Sequence, residues 1–251
     1  MAEGTLRKMR TELVDPVHYR LPVGETLINL NSLLGQEISL VYSGRIFCIE
    51  CGRKTNKSFN QGYCFPCLRR LAACDTCIVR PELCHYHEGT CREPQWGEAH
   101  CMQPHVVYLA NSSGLKVGIT RKTQVPTRWI DQGAIQALPI AEVDTRLQSG
   151  LIETGLKGTV NDKTDWRRML KGLQTKIDLM AEWEELRGSG DGMLTEFRSR
   201  FGPHAIRLSE YEEPTQICYP VLRYPEKVKA HNFDKEKVCL LYTSPSPRDR
   251  G

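Results

Sequence analysis

Four cysteines carry the clearest chemistry in this chain: Cys48 and Cys51, then Cys64 and Cys67, in the pattern Cys-x2-Cys-x12-Cys-x2-Cys. Each Cys-x2-Cys pair turns two thiolates toward one point, and two pairs complete the tetrahedral four-sulfur shell of a zinc site. Gly52, directly after Cys51, suits a turn whose backbone amides face the thiolate sulfurs and stabilise their charge. Four thiolates leave no open position for water, so the expected metal is structural rather than catalytic. A redox role for either pair lacks the βαβ setting of a thioredoxin-type motif.

The cysteines continue as Cys74-x2-Cys77, Cys84-His85-x-His87, Cys91 and Cys101, so nine of the eleven fall between 48 and 101. This ligand count predicts a second zinc, held by Cys74, Cys77, Cys84 and Cys91, with His85, His87 or Cys101 as substitutes. At least one of the two histidines reads as a surface or supporting group. Cys218 stands apart and reads as a buried apolar residue in a strand.

The elements around these residues follow from patterning. Residues 48–104 are rich in Cys, Gly, Pro and His with little periodic apolar content, so this zinc-ribbon-like segment must be held by metal rather than by a core. A zinc site can supply on the order of 10–16 kcal/mol there. Residues 1–47 alternate weakly, with short strands expected over 25–30, 37–42 and 45–48. Beyond 104, 105–110 and 115–120 read as the strands of a hairpin about Asn111-Ser112-Ser113-Gly114. A short helix over 127–132, a strand over 137–143 and a helix over 145–157 follow, the last with Leu147, Leu151, Ile152 and Leu156 on one stripe. Thr164 or Asp165 caps a longer helix running through Trp166, Leu170, Leu173, Ile177 and Met180 until Gly188-Ser189-Gly190 breaks it. A short helix to Phe201 and strand-like runs such as 216–224 complete the chain, and these C-terminal strands are expected to pair with the N-terminal ones.

Composition bounds the function classes. Of 251 residues, 40% are apolar and 25% charged, an ordinary globular balance rather than a disordered one. No run of about 18 apolar residues predicts a membrane span. The opening Met-Ala-Glu-Gly-Thr-Leu-Arg-Lys lacks the apolar stretch of an export signal, so the cysteines are expected as metal ligands in a reducing cytoplasm. Residues 239–251 are different in kind: the first eleven resemble one reading frame of a transposase adapter used in DNA sequencing libraries. The expectation is that this stretch replaces the native C-terminus. Setting it aside leaves ten cysteines, and losing Arg248, Asp249 and Arg250 lowers the formal charge from +4 to +3. So mild a charge makes any nucleic-acid role depend on where the cations sit.

Val106-Val107-Tyr108, Lys116-Val117-Gly118, Thr127-Arg128-Trp129 and then Glu153 resemble the GIY-YIG nuclease superfamily, in its branch where the second motif begins with Lys. More broadly, Cys-Gly-Arg-Lys-Thr, Glu-Leu-Cys-His-Tyr-His, Lys-Val-Gly-Ile-Thr-Arg and Arg-Trp-Ile-Asp-Gln-Gly-Ala are similar to an uncharacterised bacterial family, domain of unknown function 2797, over about residues 20–238. The chain departs from the nuclease pattern in four places. Val106-Val107 replaces Gly-Ile, the gap between the motifs is short, Arg128 lies a little further from Lys116 than the pattern has it, and only Asn161 stands for the late Asn. The nuclease resemblance implies Tyr108 as base with Lys116 assisting by lowering its pKa, Arg128 on phosphate, and Glu153 holding one Mg2+. Arg121, Lys122, Arg167 and Arg168, with Trp166 for stacking, would add a nucleic-acid surface.

The expected fold class is α+β. It comprises an N-terminal β segment (1–47), the zinc segment (48–104), a GIY-YIG-like α/β domain (105–188), a C-terminal helix and β segment (189–238) and the set-aside tail (239–251). The expected function is a zinc-containing, Mg-dependent nuclease on DNA or RNA. The alternatives are a non-catalytic zinc-dependent nucleic-acid-binding protein and a protein-interaction scaffold.

Overall fold

The computed structural model describes residues 1–60, 62–157, 165–210 and 213–242. Helices and several antiparallel sheets mix in it, an α+β arrangement. Contacts divide the chain into two compact units, Met1–Cys64 with Asp165–Leu173 and Ile217–Gly251, and Phe65–Thr164 with Gln174–Gln216. Asn161 and Thr164 lie outside the described residues.

The first unit is built of short strands. β1 (Arg10–Glu12), β2 (His18–Val23) and β3 (Thr26–Asn29) form one antiparallel sheet in that order. Val23 pairs with Thr26, leaving a two-residue turn in which Gly24 takes φ +56°, a conformation that favours glycine. β4 (Glu37–Val41) pairs with the strand Val238–Tyr242. The N-terminal and C-terminal stretches therefore do meet, but not through 216–224, where only Thr215–Gln216 is a strand. The partner strand takes in residues 239–242 of the stretch set aside above. β5 (Ile46–Phe47) and β6 (Lys54–Thr55) make a hairpin whose loop carries Cys48 and Cys51.

The helix Trp166–Leu170 also belongs to this unit. Asp165 caps it, accepting from the amides of Arg167 and Arg168 at 3.0 and 3.1 Å. It stops after one turn and a half because Gly172 takes φ +63°, and the Tyr224 ring occupies the place a Cβ would need. The long helix expected through Met180 is therefore two helices.

In the second unit α1 (Phe65–Arg70), α2 (Thr76–Val79) and α3 (Pro94–His100) carry the cysteine-rich stretch. Then come β7 (His105–Asn111), β8 (Leu115–Arg121), α4 (Thr127–Asp131), β9 (Gln136–Val143) and α5 (Arg146–Leu156). Helices Leu179–Ser189 and Asp191–Phe201 follow, then β10 (Ile206–Leu208) and β11 (Thr215–Gln216). The sheet order is β10-β9-β7-β8, with β11 also on β9. β7, at the centre, is buried along its whole length. Side chains alternate along a strand, so Val107 and Leu109 share one face. They enter a core with Val117, Ile152 and Leu156 of α5, and Leu179, Trp183 and Phe197. Tyr108 belongs to the opposite face, where Trp129 of α4 meets it edge-on at 6.0 Å between ring centroids.

Three local devices fix this sheet and its helix. Thr145 starts α5 with a capping box: its hydroxyl accepts from the Gln148 amide at 3.3 Å, and Gln148 Oε1 accepts from the Thr145 amide at 3.0 Å. Between β7 and β9 the register shifts, Val107 facing Ala141 and Tyr108 facing Pro139, so Ile140 is an extra residue beside Tyr108. Pro139 lies between the segments paired by β10 (Ala141–Val143) and β11 (Gln136–Ala137), where its missing N–H breaks no ladder bond on that edge. At the sheet's end, Asn111 Nδ2 donates to Gln136 Oε1 (3.0 Å) and to the Thr175 carbonyl (2.8 Å). Gln136 in turn bonds both backbone groups of Ile177 at 3.0 Å. Those bonds claim the backbone of 175–177, which is non-helical, the second reason the predicted helix is interrupted before Leu179. Among the described residues no helix is long and apolar enough to cross a membrane.

Candidate functional site

Cys48, Cys51, Cys64 and Cys67 come together as their spacing predicts, with all four sulfurs within 4.8 Å of one another. Cys51 Sγ and Cys64 Sγ are 3.8 Å apart. A tetrahedral centre with Zn–S bonds of about 2.3 Å requires S···S separations of about 3.8 Å, so the four thiols could hold a zinc ion. The supporting amides differ from expectation in one detail. Gly52, at φ +67°, donates its N–H to the Cys48 carbonyl (3.0 Å) rather than to a sulfur. Burial opposes the Cys48 thiolate, but hydrogen bonds from the amides of Cys51, Cys64 and Glu50 outweigh it and bring the thiol down to about 6. The site is thus prepared for a thiolate before any metal arrives.

The second cysteine group gathers differently from the predicted set. A cavity in the second unit is lined by Cys77, Cys84, Cys91 and Cys101, with Asp75 and His85, and Cys74 does not line it. Asp75, Cys77 and His85 offer ligand atoms within 4.8 Å of one another. His87 is exposed beside Glu88 at 3.8 Å, the surface role expected for one of the two histidines. Cys218 is exposed rather than buried. It lies just past the end of β11 rather than within a strand, and its thiol bonds the Asp15 side chain, which raises its pKa.

Tyr108, Lys116, Arg128 and Glu153 arrive from β7, β8, α4 and α5. Tyr108 faces Gly118 across the hairpin, and Lys116 faces Ala110, so Tyr108 and Lys116 are diagonal neighbours rather than a direct pair. Gly118 is required there: a Cβ would stand 2.7 Å from the Tyr108 ring and hydroxyl. The phenol is completely buried. Gln132 joins it to Arg128. With its NH2 toward Tyr108 Oη (2.8 Å), the amide oxygen accepts from Arg128 Nε and Nη2 at 3.2 and 3.3 Å. Gln132 escaped the sequence reading, although its place one helical turn after Arg128 was the available signal.

The four groups act on one another electrostatically. Burial pushes Tyr108 up to about 12, against the pull of the Arg128 cation, with the Glu153 charge also acting to raise it. Burial, joined by Arg128, brings Lys116 down to about 8, and Glu153 opposes this. Glu153 is itself raised, first by burial and also by Glu82, against Lys157, Arg146 and Arg128. The phenol is therefore not the ready phenolate expected of a base, because desolvation outweighs the nearby cation.

The expected nucleic-acid cations do not share one unit. Arg121 and Lys122 lie in the second unit and Arg167 and Arg168 in the first. Lys122 pairs with Glu142 at 2.6 Å, and Arg167 stacks on Trp166 at 4.2 Å from the ring centroid.

These observations define an α+β protein with a four-thiol cluster that could hold a zinc ion, and with a buried Tyr108 on its larger sheet joined through Gln132 to the exposed Arg128. A family model described as "Protein of unknown function (DUF2797)" matches residues 35–240, and the chain belongs to that family. No curated protein and no solved structure matches the chain.

Proposed function

We propose that the chain is a Mg-dependent nuclease of the GIY-YIG type, acting on DNA or RNA phosphodiesters in the cytoplasm, with zinc-stabilised segments that grip the nucleic acid. One observation carries this reading. Tyr108, Lys116, Arg128 and Glu153, from four separate elements, lie close enough to shift one another's protonation. Glu153 now pairs with the Lys157 ammonium at 3.8 Å, and in this reading its carboxylate would hold a divalent cation in that partner's stead. A Mg2+ held there would supply charge neutralisation at the phosphate.

The residues divide the remaining work by protonation. Arg128 offers planar N–H donors to phosphate oxygens. A base must be unprotonated at working pH, and a phenol at about 12 is not, whereas a lysine at about 8 is neutral in roughly one molecule in ten at pH 7. Lys116 therefore takes the proton from the attacking water as its oxygen bonds to phosphorus. The bond to the leaving oxygen breaks, and that oxygen gains a proton from solvent. Tyr108 stays protonated and, through Gln132, holds Arg128 in place.

The test is cleavage of labelled single- and double-stranded DNA and RNA with Mg2+ or Mn2+. Cleavage by wild type and a loss of about 100-fold or more in Glu153→Ala and Arg128→Ala are expected. No cleavage by wild type, or equal cleavage by Glu153→Ala, ends the nuclease reading. The complete burial of Tyr108 favours a second reading, a zinc-dependent protein that binds nucleic acid without cutting it. Binding with no cleavage is its signature.

A further inference from the structure

The stretch between α1 and β7 has only a small core, in which Tyr86, Trp96 and Met102 pack around buried cysteines. Its helices are four to seven residues long, too short to persist unaided. Thiols stand at its centre: Cys77, Cys84 and Cys101 are buried and pack as one cluster against Leu147 of α5. Cys77, Cys84 and Cys101 also line one cavity. Cys91 completes the wall of the same cavity, and all four are free thiols. Beside them Asp75 is fixed by Arg92 at 2.7 Å and lies 3.6 Å from His85 Nε2, while His85 Nδ1 meets Thr90 Oγ1 at 2.6 Å. Asp75 and His85 come within 4.8 Å of the Cys77 sulfur, but both are engaged by Arg92 and Thr90, which suits them to support the thiol ligands rather than replace one.

We infer that this cavity is a second structural zinc site formed by Cys77, Cys84, Cys91 and Cys101, and that its metal fixes the loop against which α5 is docked. The Cys74-x2-Cys77 pair is split, with Cys77 a ligand and Cys74 not. The loop between the first two ligands contains Pro81 and Glu82, and α5 lies directly on it. A Cβ on Gly150 would stand 2.5 Å from the Glu82 amide nitrogen and 2.7 Å from the Pro81 carbonyl carbon. Arg146, the first residue of α5, grips backbone beside two ligands. Its side chain donates to the carbonyls of Ile78 (2.6 Å) and Cys77 (3.5 Å), and its amide donates to the Cys101 carbonyl (2.8 Å). Four thiolates drawn onto one ion would hold both of those carbonyl segments still. Glu153 is one turn along α5 from Gly150, so the same contact sets where that carboxylate stands. The metal assignment holds whether or not the chain cuts phosphodiesters.

The experiment is zinc analysis of the purified full chain by mass spectrometry, with hydrogen exchange of the peptide covering α5. Wild type should carry two zinc ions. Cys101→Ser and Cys91→Ser should each carry one and exchange faster in α5, while Cys74→Ser should match wild type in both readouts. A single zinc in wild type, a zinc lost from Cys74→Ser, or two retained by Cys101→Ser overturns the assignment. So does a Cys84–Cys101 disulfide in the intact mass under non-reducing conditions. Because the wild-type count and intact mass need no variant, the proposal stays testable even where a cysteine variant fails to fold.

Discussion

Lys116 is the residue whose chemistry the structure changes most. Burial holds its folded pKa near 8 against an ordinary value of 10.5. The folded state therefore binds this proton less well than the unfolded chain. Charged Lys116 is a cost that is full below pH 8 and is lifted as pH rises from about 8 to 10.5. Stability should accordingly rise across that window, by roughly 2–3 kcal/mol if nothing else titrated. Lys116→Met should be more stable than wild type at pH 7 and show a flatter profile between pH 8 and 10, as read from denaturant midpoints. A wild-type profile that is flat or falling there would show that the amine is not desolvated. In the nuclease reading the same titration gives cleavage a rising limb near pH 8 that Lys116→Arg abolishes, since a guanidinium cannot give up its proton.

At the scale of elements, two glycines report how closely parts approach. Gly118 is covered by the movable ring of Tyr108, whereas Gly150 faces fixed backbone at Pro81 and Glu82. Both alanine variants should destabilise by about 1–3 kcal/mol, with Gly150→Ala at the upper end because backbone cannot rotate away. Equal midpoints for Gly150→Ala and wild type in urea unfolding would contradict that packing. The hairpin, α4, β9 and α5 were legible in the sequence because strand alternation, a Ser-Ser-Gly turn and the Leu147–Leu151–Ile152–Leu156 stripe all pointed the same way. The helix through Leu173 and Ile177 was misread for an equally physical reason. Its apolar spacing is helical, but the left-handed Gly172 and the side-chain amide of Gln136 claim the backbone, and periodicity carries no trace of either. The first thiol site was readable from two tight pairs, while the second depends on which of five sulfurs the loops bring together, and ligand spacing alone could not decide that.

For the molecule as a whole, metal should matter more than any single side chain. β5 and β6 form a hairpin of two-residue strands that could not persist alone, and a zinc on Cys48, Cys51, Cys64 and Cys67 would anchor its loop. Stripping zinc with a strong chelator under reducing conditions should lower the melting temperature and expose residues 46–67 to protease, and adding zinc back should reverse both. A melting curve and cleavage pattern indifferent to chelation would remove the metal from the account of stability. The family match spans 35–240 and so takes in both cysteine groups and the large sheet.

The proline in β9 has an effect on how these molecules meet each other. On the side of β9 away from β7, the sheet is finished by pieces of three and two residues, β10 and β11, parted at Pro139. A neighbouring chain seeking to add a strand there would find a broken, short border with no continuous row of donors and acceptors to copy. That border should discourage edge-to-edge stacking in concentrated solution, a protection set by one residue that cannot donate a hydrogen bond.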